Sequence, residues 1–128
     1  MRYLIDTHVF IWYAIGDARI SQKAIGIIDS EEKKYISIAS LWEMAIKVNI
    51  GKLHFSSSFE EVIDRQLEIN KYKILPITKK HLTKLSGLGL HHKDPFDRLI
   101  ICQSLAEGIP IVTVDSSFSM YEGVHLLW

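Results

Sequence analysis

The sequence predicts an α/β fold with a mainly parallel sheet of four to five strands. Two observations carry this. Short apolar stretches rich in β-branched and aromatic residues recur at 2–5, 34–38, 73–77, 109–114 and 124–128. Segments with apolar residues at helical spacing stand between them, which is the alternation that parallel strands with crossover helices produce. The 128 residues suit one domain, 1–128, large enough to bury a core without staples.

Each element has a local reason. Residues 2–5 form a buried strand that ends at Asp6. A short helix over 7–14 follows, apolar almost all round (Val9, Phe10, Ile11, Trp12), and Gly16 and Asp17 break it. Ser21 opens a second helix with Ala24, Ile25, Ile27 and Ile28 inward. Residues 34–38 form strand two. Residues 40–48 carry helical spacing (Leu41, Met44, Ala45, Val48), and Asn49 and Gly51 end that helix. Ser56, Ser57 and Ser58 form a polar turn that caps a helix over 59–70. Residues 73–77 form strand three, where Pro76 argues for a sheet edge. A short helix over 78–85 stops at Gly87 and Gly89. Asp94 and Pro95 then start a helix that runs to Glu107 and ends at Gly108. Residues 109–114 form strand four, closed by Asp115 and two serines, and 124–128 form a last strand. Glu31, Glu32, Lys33 and Lys34 read as a solvated charge run.

Composition narrows the function. Formal net charge is zero with six histidines, which argues against a strongly cationic coat but not against a local basic patch. The single cysteine, Cys102, excludes an internal disulfide framework and a multi-cysteine zinc cluster, and its apolar surroundings read as core. No stretch approaches the length of a membrane span, and the three-residue apolar run before Asp6 is too short for a signal peptide. A soluble cytoplasmic protein with no membrane partner is the expectation.

The acids carry the functional argument. Asp6 ends strand one, Glu43 falls in the first turn of the helix after strand two, and Asp115 ends strand four. Carboxyl ends of parallel strands and the helix starts that follow share one rim, where ligands of open α/β sheets bind. Asp97, in the first turn of the helix before strand four, reaches that rim only if residues 86–93 bring the chain back to it. Each acid also has a purely structural reading. Asp6 can cap the first helix with Thr7, Glu43 fits a capping box with Ser40, Asp97 suits a helix dipole, and Asp115 can form an Asx turn. Four like charges on one rim repel, and a cation relieves that repulsion. An all-carboxylate set selects hard ions such as Mg²⁺ or Mn²⁺, and these suit phosphate chemistry.

With these residues in view, LIDTHVFIW (4–12), SIASLWEMAIKVNIGKL (37–53), HHKDPFDRLIICQSLAEG (91–108) and IVTVDSSFSMYEGVHLLW (111–128) resemble the PIN-domain family, and within it the VapC-type toxins of bacterial toxin–antitoxin pairs. The resemblance implies a three-layer α/β/α PIN-like domain with metal-dependent endoribonuclease activity. It carries the family's acidic positions onto Asp6, Glu43, Asp97 and Asp115, as catalytic residues holding one or two Mg²⁺ or Mn²⁺ ions. Thr7 and Thr113 match polar positions beside the site, and Asp94 takes a supporting role. The resemblance further implies an RNA substrate, a cognate antitoxin whose tail enters the active-site groove, and a homodimer. Cys102 and Ser104 stand where alanines are expected, and GLGL at 87–90 replaces a loop expected to hold proline.

RNA requires cations near the rim. Candidates for RNA or antitoxin contact are Lys47, Lys52, His91, His92, Lys93 and Arg98, with an i,i+4 ion pair to Glu43 as the other reading of Lys47. Trp12, Trp42 and Trp128 are expected in the core or at a dimer interface. Other functions remain open: a PIN fold that only docks a partner, or a PIN nuclease of RNA processing outside toxin–antitoxin pairs. A haloacid-type phosphatase needs D-x-D-x-T after strand one, whereas this chain has Asp6-Thr7-His8.

Overall fold

The computed structural model describes residues 1–128. The elements in chain order are β1 (Arg2–Ile5), α1 (Thr7–Ile15), α2 (Gln22–Asp29), β2 (Lys33–Ser37), α3 (Ile38–Asn49), α4 (Phe59–Ile69), β3 (Tyr72–Leu75), α5 (Lys79–Ser86), α6 (Pro95–Glu107), β4 (Ile111–Val112) and β5 (Leu126–Leu127), with a 3₁₀ helix at Ser116–Met120. The five strands lie in the order β3-β2-β1-β4-β5, and every neighbouring pair is parallel. The chain winds outward from β1 to β3, then returns to the other side of β1. Strand order therefore reverses between β1 and β4, and their carboxyl ends flank the crevice this creates. The expected edge position of the strand before Pro76 holds, because β3 closes one side of the sheet.

Alternate residues of a strand face opposite sides of the sheet. Ile5 and Val112 accordingly join a cluster with Val9, Phe10, Met44 and Ile63, whereas Leu4 and Ile111 join Ile100, Ile101 and Phe118. Helices cover both faces, which gives the three-layer α/β/α arrangement. No helix is long and apolar enough to cross a membrane. Trp12 and Trp128 meet edge to face at 6.1 Å, which ties the end of the chain to α1.

Several boundaries differ from expectation, each for a physical reason. Strand two ends one residue early because the Ser37 hydroxyl caps α3, accepting from Ala39 N at 3.0 Å. Glu43 consequently lies in the second turn of α3, not the first, and no Ser40–Glu43 capping box forms. Lys34 is buried within β2 rather than solvated, and its ammonium donates to the Ser30 carbonyl at 2.6 Å. Strand four shortens to Ile111–Val112, since Pro110 has no N–H and Ile109 N is engaged by Ser104 O. The 3₁₀ helix after Asp115 was not expected.

Gln103 ties the middle of this fold together. Its side chain is fully buried in α6. The Ser37 hydroxyl donates to its Oε1 at 2.5 Å, and its Nε2 donates to the carbonyls of Leu75 and Pro76, each at 3.2 Å. One amide thus joins α6 to the carboxyl ends of β2 and β3. Buried groups left without partners cost about 1–3 kcal/mol each. Gln103→Ala is expected to lower the unfolding free energy by about 3 kcal/mol, as read by urea denaturation, and a loss below ~1 kcal/mol would show that the amide is dispensable.

Candidate active site

Asp6 is the most deeply set of the expected acids, only 1% exposed at the end of β1. It is the N-cap of α1. Its Oδ1 accepts from Thr7 N at 2.7 Å and its Oδ2 from the Thr113 hydroxyl at 2.7 Å. Thr113 Oγ1 in turn accepts from Asp115 N at 3.0 Å, which links the ends of β1 and β4. The Thr7 hydroxyl donates to Ser40 Oγ at 2.7 Å, which ties α1 to α3. Burial raises the Asp6 pKa, against the lowering effect of the Thr113 hydrogen bond, the His8 charge and the Thr7 N–H.

Glu43 is buried on α3. Lys47 Nζ lies 3.0 Å from its Oε2, the i,i+4 pair open as one reading of Lys47. Its Oε1 is buried with no hydrogen-bond partner. Asp115 caps the 3₁₀ helix, its Oδ1 accepting from Ser117 N at 2.9 Å and from the Ser117 hydroxyl at 2.6 Å.

Asp94 and Asp97 divide the start of α6. Asp94 is the N-cap, and its Oδ1 accepts from Phe96 N at 2.9 Å and Asp97 N at 3.0 Å, with Pro95 in the first turn. Asp97 makes no side-chain hydrogen bond, and its carboxyl is pushed up to about 8, first by burial and then by the charges of Asp94, Asp6, Glu43 and Asp115. The threading that the sequence left open thus carries Asp97 to the same rim. No three acidic, histidine or cysteine side chains meet at the distance needed to ligate one ion. The donor set is nevertheless all oxygen, and the unpartnered Glu43 Oε1 and the raised Asp97 carboxyl are groups that a cation would satisfy.

The remaining candidates separate. His91 and Lys93 are exposed, as an outward contact requires. Arg98 is turned inward, 9% exposed, and its guanidinium donates to Gly89 O at 2.8 Å and to Tyr121 Oη at 3.1 Å, so it braces the loop before α6 rather than facing solvent. His92 is also packed inward, between Phe118 and Tyr121. Its Nδ1 lies 2.7 Å from Tyr121 Oη. That oxygen also accepts from Arg98, so Tyr121 joins the two side chains. His92 Nε2 has no hydrogen-bond partner and lies 3.6 Å from Asp97 Oδ2. The Tyr121–His92–Asp97 line was invisible in the sequence, because Tyr121 lies 29 residues from His92.

Residues 3–124 match the family model described as the PIN domain. The chain belongs to the PIN-domain family. Solved structures with the same fold include VapBC2 from Rickettsia felis bound to a DNA fragment from its promoter, at 18% identity and TM-score 0.77, covering 99% of this chain and 98% of that one. VapBC-1 from nontypeable Haemophilus influenzae matches at 15% identity and TM-score 0.70, covering 99% and 97%. FitAcB from Neisseria gonorrhoeae matches at 15% identity and TM-score 0.67, covering 98% and 96%. No curated protein sequence matches the chain.

Two stability measurements separate the neighbouring aspartates of this PIN domain. Asp94→Ala removes a cap with two backbone partners and is expected to cost about 1 kcal/mol at any pH above the carboxylate range. Asp97 behaves oppositely. Between its ordinary value of 3.8 and the folded-state value of about 8, the unfolded chain has released this proton and the folded chain still holds it. Stability is therefore lost as pH rises through that window. Asp97→Asn cannot ionise, so in EDTA its Tm should exceed that of the wild type at pH 8, with the difference shrinking towards pH 4. A wild-type Tm that gains on the variant as pH rises would contradict the assignment.

Proposed function

We propose that this PIN domain is a divalent-metal-dependent endoribonuclease acting as the toxin of a toxin–antitoxin pair. The observation that carries the reading is the gathering of Asp6, Glu43, Asp97 and Asp115 at one rim, where Glu43 Oε1 is buried without a partner and burial with neighbouring acids pushes the Asp97 carboxyl up. A bound cation would relieve that electrostatic load. Asp6, Glu43, Asp97 and Asp115 are the residues proposed to hold Mg²⁺ or Mn²⁺. Such an ion, when bound, lowers the pKa of a water and neutralises phosphoryl charge.

The chain's own residues do the positioning. Asp6 is held on both oxygens by Thr7 N and Thr113, so its orientation is set before any ligand arrives. Glu43 keeps one oxygen free while Lys47 holds the other. Asp94 fixes the backbone under Asp97, and His92 turns its Nε2 towards it, 3.6 Å from Oδ2. Exposed His91 and Lys93 flank the rim as contacts for RNA or for an antitoxin. Solved structures of similar fold include toxin–antitoxin complexes, which supports an antitoxin partner here. Ile38, Trp42 and Ile46 leave an exposed apolar row along α3, 39%, 55% and 40% accessible, and this supports a homodimer.

The test is cleavage of total RNA by purified protein with Mg²⁺ or Mn²⁺, read by sequencing of new 5′ ends. Asp6→Asn and Asp97→Asn are expected to lower cleavage at least a hundredfold, as is EDTA, while circular dichroism shows both variants folded. Full cleavage by both variants would sink the reading.

A further inference from the structure

An open cleft of about 740 Å³ lies along α5, lined by Lys79, Lys80, Thr83, Lys84, Gly87 and Leu88. None of the acids of the rim lines it. Lys80 pairs with Glu107 at 3.0 Å, whereas neither Lys79 nor Lys84 has an ion-pair partner. Lys79 and Lys80 occupy the first turn of α5, where the helix dipole disfavours cations. Helix stability therefore does not explain them. Lys80 and Lys84 are one turn apart and share a face, with the Thr83 hydroxyl beside them. The α5 helix itself is held firmly. His81 is fully buried, its Nδ1 accepts from Thr78 N at 3.0 Å, and its Nε2 reaches Glu107 at 2.9 Å.

The cleft is the centre of a longer basic tract. From Ile69 to Lys93 the chain contains no Asp or Glu, although it has 15 elsewhere, and it carries Lys71, Lys73, Lys79, Lys80, Lys84 and Lys93. The zero net charge thus conceals two poles of opposite sign. Lys73 has an ordinary explanation on the edge strand β3, where charge blocks edge-to-edge pairing, and Lys71 pairs with Glu31. Lys84, in the last turn of α5, suits the negative end of the helix, whereas Lys79 in the first turn has no such explanation. The tract also leads to the rim. Leu88 and Gly89, at the upper end of the cleft, are the residues whose carbonyls Arg98 holds, and Arg98 adjoins Asp97. Exposed Leu90, His91 and Lys93 continue the path to Asp94.

We propose that the α5 cleft binds the phosphate backbone of the RNA away from the cut, with the Lys79 and Lys84 ammonium groups as its contacts, while the Thr83 hydroxyl stays bonded to the Lys79 carbonyl at 3.0 Å. This rests on the ribonuclease reading above. The acid rim alone repels a polyanion, so a cationic stretch beside it supplies the attraction and sets the direction in which the strand leaves. The contacts are to phosphate, so they add affinity without reading sequence.

The test is the salt dependence of binding to labelled poly(U), measured by fluorescence anisotropy in Mg²⁺ on an Asp97→Asn background. Each single-strand phosphate contact contributes a slope of about 0.7 in log affinity against log salt, so Lys79→Gln with Lys84→Gln should lower the slope by about 1.4 and weaken binding several-fold. Lys23→Gln with Lys33→Gln removes the same net charge from exposed sites elsewhere and should leave the slope unchanged. Equal effects of the two pairs, or no effect of the first, would overturn the cleft while leaving the ribonuclease reading intact. Loss of antitoxin binding by the first pair with an unmoved RNA slope would overturn it in favour of a protein surface. An Asp97→Asn parent that binds no RNA would remove both proposals together.

Discussion

Carboxylates repel one another, yet this fold gathers Asp6, Glu43, Asp94, Asp97 and Asp115 onto one rim, and the surrounding structure is arranged around that repulsion. Three of them are N-caps: Asp6 of α1, Asp94 of α6 and Asp115 of the 3₁₀ helix. Each sits where unsatisfied N–H groups and the positive end of a helix offset its charge. Glu43 lies within a helix and has Lys47 instead. Asp97 has no hydrogen-bonded donor, and the accumulated field falls on its proton. Capping and site-building are therefore one device. The caps make it tolerable to place acids close together, and the repulsion that remains is what the proposed cation would relieve.

α6 is the element that brings these demands together. Its first turn presents Asp97, and Arg98 braces the preceding loop through Leu88, Gly89 and Tyr121. Gln103 locks the helix to the ends of β2 and β3. Ser104 accepts the backbone of Gly108 and Ile109 on its carbonyl, which turns the chain into β4. Gly108 takes a positive φ of 68° there, a conformation that side chains resist. A helix so tied at its start, middle and end holds Asp97 in fixed relation to Asp6 at the neighbouring strand end. That rigidity is what a site built from separate chain segments requires.

The same helix separates the molecule electrically. Acids crowd the rim at its start, while α5, packed along its side, belongs to a stretch without any acid. A chain of zero net charge can therefore present opposite potentials on adjacent surfaces, and whole-chain charge says little about local partners.

Local chemistry determined much of this protein from the sequence alone. The helix starts at Ser21, Ser58 and Asp94, the edge position of β3, and the placement of Asp6 at a strand end all follow from residue types at short range, whereas Asp115 lies beyond the shortened β4 as the cap of the 3₁₀ helix. The resemblance of four segments to the PIN family likewise lies in the sequence itself. Features that depend on residues far apart were decided only by the tertiary structure. Ser37 became both the last residue of β2 and the cap of α3, which put Glu43 in the second turn of that helix. Arg98, Lys34 and His92 turned inward because carbonyls or a tyrosine hydroxyl from other segments were there to receive them. The approach of Asp97 to the other acids depended on the return of the loop before α6. Short-range patterns report the conformation a segment prefers, but the energy of a buried charge depends on whichever segments pack against it, and that is a property of the whole fold.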